Sequence, residues 1–251
     1  MEVVRRHMIP FGGPSPESLA RVYQRLLESL INRRNMPQTI GEIKGKELEG
    51  AIFNFDVNLV LTNYQADWRQ LFDAVRTVRP DAKMDAKNSR SYWTTFCKGA
   101  ISAAKYLRRF DSLHDFLSFV EHFDSKPTAR PALPSLLAQE IHGLGFALAC
   151  DFLKELGFTN YSKPDGHLLN IFSKLFIAER SQLAVFRAVE LMASEVGETP
   201  YAVDKAFWLI GTGKLYLVPM KFQTSEQEFV QWALEEWRAA NPAAQPPVPL
   251  S

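Results

Sequence analysis

Cysteine is scarce: 251 residues carry two, Cys97 and Cys150. They lack the spacing of metal ligands and are too few for an iron–sulfur cluster. They read as core thiols of a reducing compartment. Histidine is also sparse, and His7, His114 and His122 are scattered too widely to predict a metal site. No metal and no cofactor are expected. No apolar run approaches the length of a membrane span, and the first residues lack a secretory pattern, so a cytoplasmic protein with no membrane partner is expected. Formal net charge is only +1. Any nucleic-acid site must then be a local patch and not a field of the whole molecule.

What is present is apolar and aromatic. Hydrophobic residues make up 46% of the chain and aromatic ones 12%, ample core for one large domain or two small helical lobes. Residues 1 to 16, with Pro10, Gly12, Gly13, Pro14 and Pro16, read as an irregular lead-in. Residues 17 to 238 read as the helical domain, and the proline-rich residues 239 to 251 as a disordered tail.

Ser15 with Pro16 predicts a helix start, followed by Leu19, Val22, Tyr23, Leu26, Leu27, Leu30 and Ile31 at helical spacing. Residues 51 to 61 alternate in polarity and fit a strand or a buried helix equally. Further helices are predicted around Trp68 to Val78, Tyr92 to Leu107 and Leu113 to Val120. Three more follow from Ser181, from Thr199-Pro200 and over residues 225 to 238.

The centre of the chain carries the chemistry. Leu133, Leu136, Leu137 and Ile141 form one helical stripe, and Phe146, Ala149, Phe152, Leu153 and Leu156 another. Between them His142-Gly143-Leu144-Gly145 makes a tight hairpin, because glycine permits backbone angles and close approaches that side chains forbid. The helical hairpin spans residues 133 to 156. Gly157 is placed as a left-handed cap, and the loop 157 to 167 leads through Lys163-Pro164-Asp165-Gly166-His167 into the next helix. Free amides at such a hairpin and at the following helix N-terminus suit a nucleic-acid phosphate.

Ile141 to Gly145, with Asp165 and His167 after it, resembles the helix-hairpin-helix DNA glycosylase superfamily, whose hairpin has the form Leu-Pro-Gly-Val-Gly and whose catalytic aspartate comes later. The resemblance implies an all-α, two-lobed fold and double-stranded DNA as partner. It also implies Asp165 as the catalytic carboxylate. DNA contacts are expected from His142, Gly143, Gly145, Lys163 and His167. Ala147 stands where lyase-active members carry a lysine nucleophile, which implies no Schiff-base strand cleavage from that position.

A narrower likeness concerns Arg33-Arg34 with Pro37 and Thr39, Lys163 to His167, and Val203 to Gly211. These segments are similar to the glycosylase-derived enzymes of bacteriophage thymidine hypermodification, the glutamyl/putrescinyl thymidine pyrophosphorylase group. That likeness implies transfer of a free amino acid onto 5-phosphomethyl-deoxyuridine in DNA. The setting would be the host cytoplasm, beside other phage DNA-modification enzymes. Asp165 would deprotonate or orient the incoming nucleophile. Arg33 and Arg34 would neutralise the leaving phosphate. Asn54, Tyr64, Trp93 and Lys205 are the candidates for a base pocket, where rings stack and amides read edges. Three readings therefore stand: amino acid:DNA transferase as the main expectation, monofunctional DNA glycosylase as the alternative, and a non-catalytic DNA-binding module as the third.

Overall fold

The computed structural model describes residues 16–33, 46–80, 82–88, 90–215, 220–221, 225–242 and 249–250. These fall into two compact units that divide between Phe152 and Leu153. Among the described residues the architecture is helical apart from one short antiparallel ladder, β1 (Lys214–Leu215) with β2 (Met220–Lys221). None of the helices is long and apolar enough to cross a membrane.

The first unit contains α1 (Leu19–Ile31), α2 (Lys46–Ala51), a 3-10 turn (Phe53–Phe55), α3 (Val57–Tyr64) and α4 (Trp68–Val78). It continues with α5 (Tyr92–Leu107), α6 (Leu113–Asp124), α7 (Ala132–Glu140) and most of α8 (Phe146–Glu155). Helix α1 starts later than the Ser15-Pro16 pair suggests. Ser18 is the N-cap and accepts from the Arg21 N–H, satisfying a donor that the first turn would otherwise leave unpaired. Ser15 lies outside the described residues. Val22, Tyr23, Leu26, Leu27 and Leu30 are fully buried and pack α1 against α5, the long helix at the centre of this unit.

The ambiguous stretch 51–61 is helical. Asp56 caps α3, its Oδ1 accepting from the Asn58 and Leu59 N–H groups at 2.9 Å each. Before it, Phe53, Asn54 and Phe55 have φ of 50°, 51° and 68°, a left-handed run unusual for side-chain-bearing residues. The period-two alternation in the sequence reflects this turn and not a strand.

The second unit contains α9 (Gly166–Lys174), α10 (Gln182–Val196), α11 (Pro200–Thr212) and α12 (Glu226–Ala240). Leu168, Ile171, Phe172, Val185, Val189 and Val203 form its core. A capping box at Ser225 and Glu228 opens α12, on which Trp232 is 56% exposed. The segment expected to be a disordered tail begins with the end of α12. Near its other end Leu250 is tied down, its N–H donating to the Ile177 carbonyl and its carbonyl accepting from the Glu179 N–H.

Candidate functional site

Helix α5 shapes the hairpin. Ile141 and Leu144 are buried, and the Leu144 N–H closes the turn on the Ile141 carbonyl at 3.1 Å. Gly143 has φ +82°, and a Cβ there would lie 2.7 Å from Thr95 Cγ2. A Cβ on Gly99 would meet the His142 carbonyl at 2.8 Å, and Ser102 Oγ accepts the His142 N–H at 2.9 Å. Thr95, Gly99 and Ser102 lie four and three residues apart, so one narrow face of α5 receives the whole turn. Sequence reading missed this face. Its signal was the run of small residues at helical spacing.

The other side of the turn is open. Gly145 is exposed, and a Cβ there would meet nothing within 4 Å. Among the described residues the Gly143 and Gly145 N–H groups have no hydrogen-bond partner. Two cations border them. Arg33 Nη1 lies 3.9 Å from where a Gly143 Cβ would sit, just past α1, whose cap residue Asn32 bonds Asp151 of α8 at 3.1 Å. Lys98 lies on α5 with its Nζ 5.0 Å from the centre of the half-buried Trp68 ring, which Arg69 also approaches at 4.8 Å. Partial burial, with Lys98 and Arg33 adding to it, holds the His142 imidazole below its usual pKa. Amides without a partner among the described residues, nearby cations and a histidine held below its usual pKa are the features that suit an anion. Arg34, Pro37 and Thr39 lie outside the described residues.

In the second unit Asp165 is the N-cap of α9. Its Oδ1 accepts from the His167 N–H at 3.0 Å and the Leu168 N–H at 3.4 Å. Oδ2 has no hydrogen-bond partner among the described residues. One oxygen therefore fixes the carboxylate, and the other is available to a ligand. The His167 imidazole turns elsewhere, with Nδ1 3.5 Å from Glu226 and the ring against Gly211. The backbone N–H of Lys163 donates to Asp204 at 3.0 Å. The expected cap at Gly157 is present, with φ +102°. Ala147 sits on the first turn of α8, 9% exposed.

The four base-pocket candidates are not gathered in one unit. Trp93 is 1% exposed and Tyr64 is buried with its hydroxyl on the Ala51 carbonyl. Enclosure leaves the Trp93 ring no face for a base; Trp68, the other tryptophan of this unit, is half-buried beside Phe72. Asn54 is exposed on the left-handed turn. Lys205 belongs to the second unit, 3.6 Å from Glu155 and over the Tyr201 and Trp208 rings. Both cysteines are buried and neither is in a disulfide. No cluster of metal-ligating side chains occurs among the described residues.

Comparison with known proteins bears on the fold. No family model matches the chain. Two curated relatives do, both named 8-oxoguanine DNA glycosylase/AP lyase. That of Thermoplasma volcanium is 26% identical over 117 residues, covering 43% of this chain and 54% of the relative. That of Korarchaeum cryptofilum is 32% identical over 87 residues, covering 32% and 42%. The chain thus spans about half the length of the curated relatives it matches. Among solved structures, the Methanocaldococcus jannaschii 8-oxoguanine glycosylase/lyase bound to 15mer DNA containing 8-oxoguanine superposes with a TM-score of 0.54 at 15% identity. The Thermotoga maritima 8-oxoguanine DNA glycosylase does so at 0.53 and 16%. Each likeness covers 85% of this chain and 91% of the other. The fold is that of the 8-oxoguanine glycosylases. The narrower likeness to the thymidine-hypermodification enzymes finds no support in these comparisons.

Two substitutions separate the inner and outer sides of the hairpin. Gly143→Val forces a branched side chain to positive φ against Thr95 and should destabilise the fold by about 2–4 kcal/mol. Gly145→Val should leave the melting temperature unchanged and weaken binding of duplex DNA, read by fluorescence anisotropy. The depressed pKa of His142 has its own signature. The unfolded chain takes up this proton near 6.5, the folded chain only at lower pH. Stability from this residue is therefore full above 6.5 and is lost as the pH falls below it. Urea midpoints at about pH 7.5 and about pH 5.5 should differ less in His142→Gln than in the wild type.

Proposed function

We propose that this protein is a monofunctional DNA glycosylase that removes an oxidised purine of the 8-oxoguanine type and leaves the strand uncut. The observation that carries the reading is Asp165: a carboxylate fixed by two helix-terminal amides through one oxygen, with the other unpaired among the described residues, in a chain with the glycosylase fold. The hairpin supports the DNA end of the reading. The Gly143 and Gly145 amides, with Arg33 and Lys98 beside them, suit consecutive backbone phosphates. Arg33, assigned in the transferase reading to a leaving phosphate, borders this turn.

In this mechanism the target nucleotide leaves the stack at a cost of a few kcal/mol. The bond between C1′ and the base nitrogen breaks, and its electron pair leaves with the base. Asp165 stabilises the positive charge that develops at C1′ and orients the water that adds there. A proton is taken up by the departing base, one is lost from the water, and an abasic site remains. A lyase would instead need an amine to attack C1′ as a Schiff base. Ala147 supplies none at the position where the resemblance places that lysine. Amino-acid transfer onto 5-phosphomethyl-deoxyuridine has no backing in the relatives, whose names describe base removal and abasic-site cleavage.

Purified protein should convert duplex DNA containing 8-oxoguanine to free base and an alkali-labile site. Asp165→Asn should lower the single-turnover rate about 10²–10⁴-fold with DNA affinity retained. Strand cleavage without alkali, or trapping of a covalent adduct by borohydride, would refute the monofunctional assignment. A nucleoside gaining the mass of an amino acid, with its glycosidic bond intact, would restore the transferase.

A further inference from the structure

Asp204 is 1% exposed and Lys154 3%, and the two form an ion pair inside the second unit. Lys154 Nζ and Asp204 Oδ2 are 2.5 Å apart. The same Oδ2 accepts the backbone N–H of Lys163 at 3.0 Å. The Lys163 carbonyl then accepts the N–H of Asp165 at 2.7 Å. One loop residue, Lys163, thus links a buried carboxylate to the N-cap of α9. The loop is tied to α11 a second time, by the Tyr201 N–H on the Thr159 carbonyl at 3.0 Å. The Lys154 ammonium also faces the Tyr201 ring at 5.6 Å.

Stability alone is a poor reason to keep such a pair. Removing two charges from water costs several kcal/mol each, and apolar residues of similar volume often serve the fold as well or better. What an apolar pair cannot supply is an acceptor for the Lys163 N–H. We propose that Asp204 is a positioning residue: with its charge balanced by Lys154, its side-chain oxygen holds the Lys163 backbone, and that backbone sets where the Asp165 carboxylate points. This rests on the reading of Asp165 as the group that faces the sugar.

Two double variants isolate the acceptor. Lys154→Met/Asp204→Asn removes both charges and keeps an oxygen for the Lys163 N–H. Lys154→Met/Asp204→Leu removes both charges and the oxygen, with Lys154→Met/Asp204→Ala in its place should leucine not fit. The readouts are melting temperature, anisotropy with duplex DNA, the single-turnover rate of 8-oxoguanine release, and hydrogen exchange at the Lys163 amide. The asparagine chain should excise within about threefold of the wild type. The leucine chain should melt and bind DNA like the asparagine chain, exchange faster at Lys163, and excise about tenfold to hundredfold more slowly, as a displaced catalytic group does. Equal rates in the two double variants would overturn the proposal. If Asp165→Asn excises as fast as the wild type, the reading of Asp165 fails by itself. Exchange at Lys163 then decides the anchor: acceleration in the leucine chain upholds it, and no change overturns it.

Discussion

The closest constraint in this molecule is the seating of the hairpin on α5. Gly99 lets the His142 carbonyl come within reach of a missing Cβ, Thr95 fills the space beneath Gly143, and Ser102 accepts the His142 amide. A backbone turn buried on one side needs its polar groups satisfied there. Once Ser102 and Ile141 take the His142 and Leu144 amides, the Gly143 and Gly145 amides are the ones left without a partner among the described residues. Whatever they can bind is therefore set by how the turn is seated on α5. Arg33 and Lys98 add charge to a geometry that already exists.

The same economy recurs in the second unit. A carboxylate has two oxygens, and Asp165 completes the first turn of α9 through one of them. A capping aspartate and a reacting aspartate are usually competing explanations of one residue, and the proposed function needs both, the second through the oxygen the cap does not use. His167 contributes its amide to that cap and keeps its ring for Glu226. It supports the site through the main chain.

The hairpin, the cap at Gly157 and the acid after it were legible because they are local: glycine at a forced turn, periodicity on either side, aspartate before a helix. Three things were not. Lys154 and Asp204 are separated by 50 positions, and no local pattern pairs them. Trp93 lies on a helix with an extensive buried face, where periodicity marks apolar positions without telling a core ring from a pocket ring. Phe53 to Phe55 mimic a strand because a left-handed run interrupts the helical period. The transferase expectation rested on short motifs, and the comparisons do not support it; likeness over most of the chain concerns the fold.

The buried thiols open an experimental route. Cys97 and Cys150 are enclosed, and desolvation, with Asp73 adding to it, pushes the Cys97 thiol far above its ordinary pKa. Thiolate is the reactive species, so the native chain should stay silent to alkylating dyes while folded. A cysteine introduced at Gly145 and another at Trp232, both exposed positions, would then be the only sites to label. Energy transfer between them would report the distance between the two positions with and without duplex DNA, without first deleting a native residue.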